Sequence, residues 1–457
     1  MTRWPAALAA VLVMSVAGGL GLWMAATGRL SAGRALPRVT IEGRAVGGLG
    51  PAELAALVET LAAPVISRSV TVKAAAMVST STPARLGMRP EVDRVVTAAL
   101  GIGRSGPLPR RMLQLFVLLR RPIDVRIAYA YDPAVARAEI DRLVASVVSE
   151  PRDAVVSVSG GRLAVVSPSQ DGVAVDERAS LVRTIASLQR RDPVVELVVT
   201  LRRPAFTTED ADRIAEPVAQ FTTLFPYNPD RVHNIRLAAG SLRGALVAPN
   251  AVLSYNQVVG PRDPERGYRK APVLYRNILI PGDGGGVCQV SSTLFNAALL
   301  AEMAVEARTN HSQPVPYLAA GRDATVDYGY IDLRLRNTTG RYLYLWTEVR
   351  SRSLTVTIFG ARQPGREATI TVTDRVVIPA PTHTVTVRDP YLPVGQTKID
   401  EPKIGLRMRT YRVVRQEGQI VREELVTSSF YSPVPRTIRI GAKGERESQS
   451  LRRTTAP

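Results

Sequence analysis

Hydrophobic positions recur along this chain with two periods, and the switches between them outline its elements. Residues 39–43 (Val-Thr-Ile-Glu-Gly) alternate as a strand does. A Gly/Pro turn over residues 47–51 follows, and then Leu54, Leu57, Val58 and Leu61 fall at helical spacing. The unit closes with an extended run over residues 86–93 and a second helix carrying Val95, Val96 and Leu100. The same order returns downstream. A strand at residues 125–129 precedes a helix with Val135, Ile140, Leu143 and Val144, and residues 171–176 precede a last helix with Leu181, Ile185 and Leu188. Residues 37–204 therefore read as a diverged two-copy repeat, each copy running strand, helix, strands, helix. Neither copy carries histidine, cysteine or clustered carboxylates, so the pattern predicts a binding or spacer module and not a reaction centre.

Residues 205–220 are a polar connector with a helix start at Thr207-Thr208-Glu209-Asp210. Residues 221–360 mix both periods and predict an α+β domain. Residues 368–441 alternate strongly, with prolines between the runs, which predicts a small β-rich module. The last residues, 442–457, are polar and read as a disordered tail. At the other end, residues 5–27 contain no charged side chain; Arg3 precedes them and Arg29, Arg34 and Arg38 follow. A span of about 20 apolar residues crosses a bilayer. The apolar core of a cleaved signal peptide is shorter, so residues 1–30 predict an uncleaved signal anchor more readily than a signal peptide. So short an N-terminus leaves one way to export the rest: a single pass in the cell membrane with the bulk of the chain extracytoplasmic. The predicted class is α+β: an N-terminal membrane-spanning helix, two α+β repeat units, an α+β domain and a β-rich module.

Charge refines the partners. The chain has 59 Lys and Arg against 40 Asp and Glu, a formal net charge of +19. Aromatic residues make up only 5%, and no basic run is interleaved with them, so nucleic acid is not an expected partner. In an exported protein the positive balance fits anionic lipid head groups or acidic wall polymers.

The candidate chemistry lies in the central domain. Cys288 is the only cysteine of 457 residues, so it has no partner for an intramolecular disulfide. It follows Gly284-Gly285-Gly286-Val287 and opens an apolar-periodic stretch with Val290, Leu294, Ala297, Ala298 and Ala301 at helical offsets. A cysteine attacks as the thiolate, and unpaired N–H groups at a helix N-terminus favour that anion. Gly284, Gly285 and Gly286 permit close approach of a substrate backbone and leave local N–H groups for an oxyanion. Gln289 and Ser291 continue the same loop-to-helix segment as candidate substrate contacts. His311 is one of three histidines in the chain and the candidate general base. Asp323 and Asp327 are the candidate carboxylates to orient it, with Asp332 behind; Asp327 and Tyr328 read as part of a strand. The competing reading makes Cys288 a small buried packing residue and His311 a loop residue bonded to backbone. One Cys and one His lack partners at metal-ligand spacing, and the glycine run lacks the lysine of a nucleotide loop, so neither a metal nor a cofactor is expected.

These motifs resemble the VanW family. The resemblance rests on residues 231–239 (Arg-Val-His-Asn-Ile-Arg-Leu-Ala-Ala), residues 254–262 (Ser-Tyr-Asn-Gln-Val-Val-Gly-Pro-Arg) and Gly267-Tyr268. It continues through residues 284–297 to His311-Ser312, residues 321–326 (Gly-Arg-Asp-Ala-Thr-Val) and Asp332-Leu333, covering about residues 221–346. The repeat upstream resembles the peptidoglycan-binding module found before such domains, and the C-terminal strands resemble a G5-type module. The resemblance implies a cell-envelope protein, linked to vancomycin resistance, that acts on peptidoglycan stem peptides by cysteine acyl transfer, as an L,D-transpeptidase or, if water resolves the intermediate, a carboxypeptidase. In the familiar L,D-transpeptidase motif the histidine precedes the cysteine. Here His311 follows it, unless His233 serves instead. The alternative implied is a non-catalytic peptidoglycan-binding or scaffold protein.

Overall fold

The computed structural model describes residues 33–275 and 278–443. The proposed anchor over residues 1–30 and most of the tail, residues 444–457, lie outside the described residues. Among the described residues no helix is long and apolar enough to cross a membrane. The chain is mixed α+β and divides into two compact units: residues up to Arg152 together with Asp171–Arg203, and Asp153–Gln170 together with Pro204 onward.

In the first unit the two segments read as repeat copies interleave. The strand Val39–Ile41 of the first copy pairs in parallel with Ile123–Val125 of the second. Met88–Pro90 pairs antiparallel with Tyr129–Tyr131, and Val70–Ala74 pairs in parallel with Val194–Glu196. Strands of three to five residues cannot bury a core alone, so each copy completes the other's sheets. Two cores result. The helix Pro51–Ser67, whose capping Gly50 N–H is bonded by Glu53 at 2.7 Å, buries Leu54, Val58 and Ala62 against Ile41, Val95 and Leu118. Ile140, Leu143 and Val144 of the helix Pro133–Val144 pack with Val72, Leu188 and Val195. Val135, counted above on that helix's apolar face, is exposed. The helix Leu108–Arg120 lies between the copies and was not legible in the periodicity.

The second unit begins with a hairpin, Val155–Ser159 with Arg162–Ser167. Its residues fall within the stretch that periodicity assigns to the second repeat copy. The hairpin packs here because Ala154 and Leu163 are buried with Phe206, Tyr344 and Phe359. A four-stranded antiparallel sheet follows, in the order Glu216–Leu224, Ser353–Gly360, Leu343–Val349, Leu246–Val247. Two helices share its core: Pro229–Leu242, started by Pro at its first position and by the Asn228 cap, and Val287–Leu300. The second is buried along nearly its whole length, through Val290, Leu294, Phe295, Ala297, Ala298 and Leu299. Beyond it stand two three-stranded sheets: Arg366–Ile378, Gly405–Gln416 and Gln419–Tyr431, then Thr384–Pro393, Arg436–Lys443 and Thr397–Asp400. These C-terminal strands share a small core, Leu406, Met408 and Tyr431, with Ala320 of the central domain.

Candidate active site

The hairpin Lys270–Tyr275 with Ile278–Asp283 delivers the chain to the glycine run, which must reverse it into the helix Val287–Leu300. Glycine is required twice over. Gly284 and Gly286 adopt φ of +74° and +109°, and a Cβ on Gly285 would lie 2.6 Å from the Ala271 carbonyl oxygen. The reversal uses some of its N–H groups: Val287 donates to the Gly284 carbonyl (3.1 Å) and Gln289 to the Gly286 carbonyl (3.0 Å). Cys288, at the second helical position, keeps an N–H with no intrahelical acceptor. Its half-buried sulfur lies 3.6 Å from both the Thr325 hydroxyl and the Val326 carbonyl oxygen.

His311 meets the cysteine. Its imidazole is hydrogen-bonded to the Cys288 sulfur, and its Nδ1 lies 2.6 Å from Asp323 Oδ2, which also accepts the His311 backbone N–H at 2.7 Å. Nε2 is thereby the nitrogen turned to sulfur. Asp323 is fully buried and held from its other side: Tyr431 donates its hydroxyl to Oδ1, and Arg308 reaches Oδ1 at 3.4 Å and the Asp323 carbonyl at 2.6 Å. Burial works against the Asp323 carboxylate, yet these bonds, His311 first among them, hold it below the usual carboxylate range. Burial also opposes charge on the imidazole and the thiolate. The bond from Asp323 and the facing sulfur outweigh it on His311 and raise its pKa to about 9; the facing imidazole outweighs it on Cys288 and lowers the thiol to about 7. Between those two values the pair exists as thiolate and imidazolium.

Of the carboxylates left open by the sequence, Asp323 therefore reaches the histidine. Asp327 does not. It is exposed, and the strand predicted around it is instead a tight turn in which Asp327 and Ile331 exchange backbone hydrogen bonds of 2.8 Å. Asp332 accepts from Ser254 Oγ (2.6 Å) and the Asn256 N–H (2.9 Å), fixing a short helix start. His233 donates from Nε2 to the Gly267 carbonyl at 2.9 Å. Gln289 and Ser291, candidate substrate contacts in the sequence, are fully buried with their polar atoms committed inside the protein. Gln289 accepts from Arg231 (2.8 Å) and donates to Thr223 and Leu224, while Ser291 donates to the Cys288 and Ala324 carbonyls. Their work is to fix the helix start and the loop that carries Asp323.

Several residues at the site carried no local signal. Arg231 and Arg262 flank the glycine run, and Tyr317 lies close enough to Cys288 for the thiolate, after burial, to help push its phenol well upward. Tyr431 comes from the last β module. So do Thr427 and Ser429, which bond Arg308, and the Phe430 and Ser432 carbonyls, which anchor Asn310 and Gln313. The histidine loop is thus clamped by strands more than 100 residues downstream. Replacing Tyr431 by Phe removes the donor to Asp323 and leaves the Gly321 N–H without its 2.7 Å acceptor. The expected result is a loss of about 1–2 kcal/mol of stability and an upward move of the pH midpoint for Cys288 alkylation. An unchanged midpoint would reduce Tyr431 to packing.

Cys288 and His311 open onto a cleft of about 1180 Å³, lined also by Lys398, Glu401 and Lys403 of the C-terminal module. Among the described residues no group of three or more His, Cys, Asp or Glu is placed to hold a metal ion.

Comparison with known proteins gives three family matches. Residues 230–359 match "VanW like protein", residues 79–195 match "Putative peptidoglycan binding domain", and residues 369–443 match "G5 domain". The uncharacterized protein YoaR of Bacillus subtilis (strain 168) is 33% identical over 225 residues, covering 49% of this chain and 73% of that protein. The vancomycin B-type resistance protein VanW of Enterococcus faecalis (strain ATCC 700802 / V583) is 29% identical over 143 residues, 30% of this chain and 52% of that protein. A solved IgA1 protease G5 domain aligns at 22% identity over 17% of this chain and 93% of its own length, with a TM-score of 0.10.

Proposed function

The chain belongs to the VanW-like family, and on that premise we propose that it is a cell-envelope protein whose Cys288 performs acyl transfer on peptidoglycan stem peptides. One observation carries the reading: the run from the Cys288 sulfur through His311 to the buried Asp323, at the start of a helix and open to a cleft. A packing cysteine and a loop histidine have no reason to face one another with a buried carboxylate behind the imidazole.

In the proposed reaction the Cys288 thiolate attacks the carbonyl that precedes the terminal D-residue of a tetrapeptide donor. The Cys288 N–H and its neighbours in the glycine turn stabilise the oxyanion. Imidazolium Nε2 gives its proton to the departing amine as the C–N bond breaks, leaving a thioester on sulfur. Neutral His311 then takes a proton from the acceptor amine, which displaces the sulfur and forms the new amide. If water is the acceptor, the product is a shortened free acid. The repeat module would hold the protein to peptidoglycan, and the N-terminal segment would hold it to the cell membrane. The positive balance would draw it to anionic lipids or wall polymers.

The test is incubation of the full-length protein with purified muropeptides and mass spectrometry of both protein and products. The expected result is a covalent peptide adduct on Cys288 with release of the terminal residue. Binding of muropeptides without adduct or product would leave a scaffold that recognises the wall and overturn the catalytic reading.

A further inference from the structure

Among the described residues, two arginines beside Cys288 have no carboxylate partner, and they contact different glycines of the turn. A Cβ on Gly286 would lie 3.1 Å from Arg231 Cγ, and one on Gly284 would lie 2.8 Å from Arg262 Cβ. Each is fixed by an amide oxygen in place of an acid: Arg231 donates to Gln289 Oε1 at 2.8 Å, and Arg262 to Asn256 Oδ1 at 2.6 Å. Arg262 is further held between two rings, 5.5 Å from the Tyr255 centroid and 5.9 Å from that of Tyr328. Its Nε and Nη1 are buried and have no hydrogen-bond partner among the described residues. Both residues line the cleft; of the acids that also line it, Asp283, Asp327 and Glu401 are exposed and Asp400 pairs with Arg439, and none pairs with Arg231 or Arg262. A buried guanidinium without an acid is costly unless a ligand supplies one, and burial does pull Arg231 below its ordinary value. The amides preserve the positive charge while fixing its direction.

We propose that Arg231 and Arg262 form a carboxylate subsite that binds the free α-carboxylate of the residue expelled by Cys288. The proposal rests on the acyl-transfer reading for the identity of the peptide, but the recognition itself is a binding event. A terminal residue places its carboxylate one residue, about 3.5 Å of chain, beyond the attacked carbonyl. That suits charges set next to the turn that supplies the oxyanion N–H groups. Paired guanidinium–carboxylate bonds are among the strongest directional contacts available to a peptide end. The subsite therefore selects donors that end in a free acid, and selects against chain-internal bonds.

Binding is measured by calorimetry on the full-length Cys288→Ser protein, which cannot turn over, with three tetrapeptides ending in a D-residue. One has a free C-terminal carboxylate, one is its C-terminal amide, and one keeps the free terminus but has its internal carboxylates amidated. The first and third are expected to bind at least about tenfold more tightly than the second. Adding Arg231→Gln or Arg262→Gln should erase that preference by weakening the free acids alone, with Arg231→Lys recovering part of it; circular dichroism and the thermal midpoint check that each variant folds. Equal affinity for acid and amide, or a preference lost only on internal amidation, overturns the subsite. An intact preference in a protein that forms no thioester with Cys288 present would sink the acyl-transfer reading and leave the subsite standing.

Discussion

Exchanging Cys288 for serine should abolish adduct formation and acyl transfer, by a factor on the order of 10³ or more, while the fold persists. The serine keeps the size and position of the side chain, half-buried at the second position of the helix, with Thr325 and the Val326 carbonyl 3.6 Å from the sulfur it replaces. A hydroxyl there can donate to the same carbonyl, so the stability change should stay below about 1 kcal/mol. What is lost is the anion. The wild-type thiol ionises near pH 7 because the facing imidazole outweighs its burial, whereas the same surroundings cannot bring an alcohol into that range. The measurement is product formation from muropeptides by the two proteins at matched thermal midpoints. Cross-linking by the serine variant at more than a few per cent of the wild-type rate would remove Cys288 from the mechanism.

How far this site could be read from sequence depends on the range of the interactions that build it. The position of Cys288 and its turn were legible because their physics is local. Three glycines before an apolar helical period demand a tight reversal, and a cysteine there falls at a helix start. The choice between Asp323 and Asp327 was not legible, because residues 325–328 alternate like a strand while the chain turns at Tyr328 and Gly329. What selects Asp323 is burial under Tyr431 and Arg308, contacts that bridge 108 and 15 residues respectively. The C-terminal strands did carry a faint sign. Met408, Thr410 and Arg412 share one face of Gly405–Gln416, and a buried polar side chain on a strand face must bond to something. Thr410 donates to the Gly321 carbonyl, and Arg412 donates to the Leu299 and Met303 carbonyls. The polar positions in that module thus mark its attachment to the central domain. The interleaving of the repeat copies was illegible for a different reason: strands of three residues fix their partners only through the cores they complete.

The histidine tests the same long-range contacts. Replacing His311 by glutamine should lower acyl transfer by about 10²–10⁴-fold, because the departing amine loses its proton donor. It should also move the pH midpoint for Cys288 alkylation from about 7 to about 8.5 or above, the range of an unassisted thiol. The sign follows from the charges. Imidazolium stabilises thiolate, so its removal favours the neutral thiol, and burial, which already opposes the anion, then acts unopposed. The midpoint is a sharper readout than the rate at one pH, since a less acidic thiol is intrinsically more nucleophilic once ionised. Asp323→Asn should act in the same direction through His311. Without the carboxylate the imidazolium falls from its raised value of about 9, so the upper edge of the pH window holding the ion pair comes down. His233→Gln removes only a bond to the Gly267 carbonyl and should leave the profile unchanged. A profile that shifts for His233→Gln and not for His311→Gln would mean that the base has been assigned to the wrong histidine. A profile indifferent to both, and to Asp323→Asn, would leave the thiol tuned by the helix start alone, with no catalytic pair.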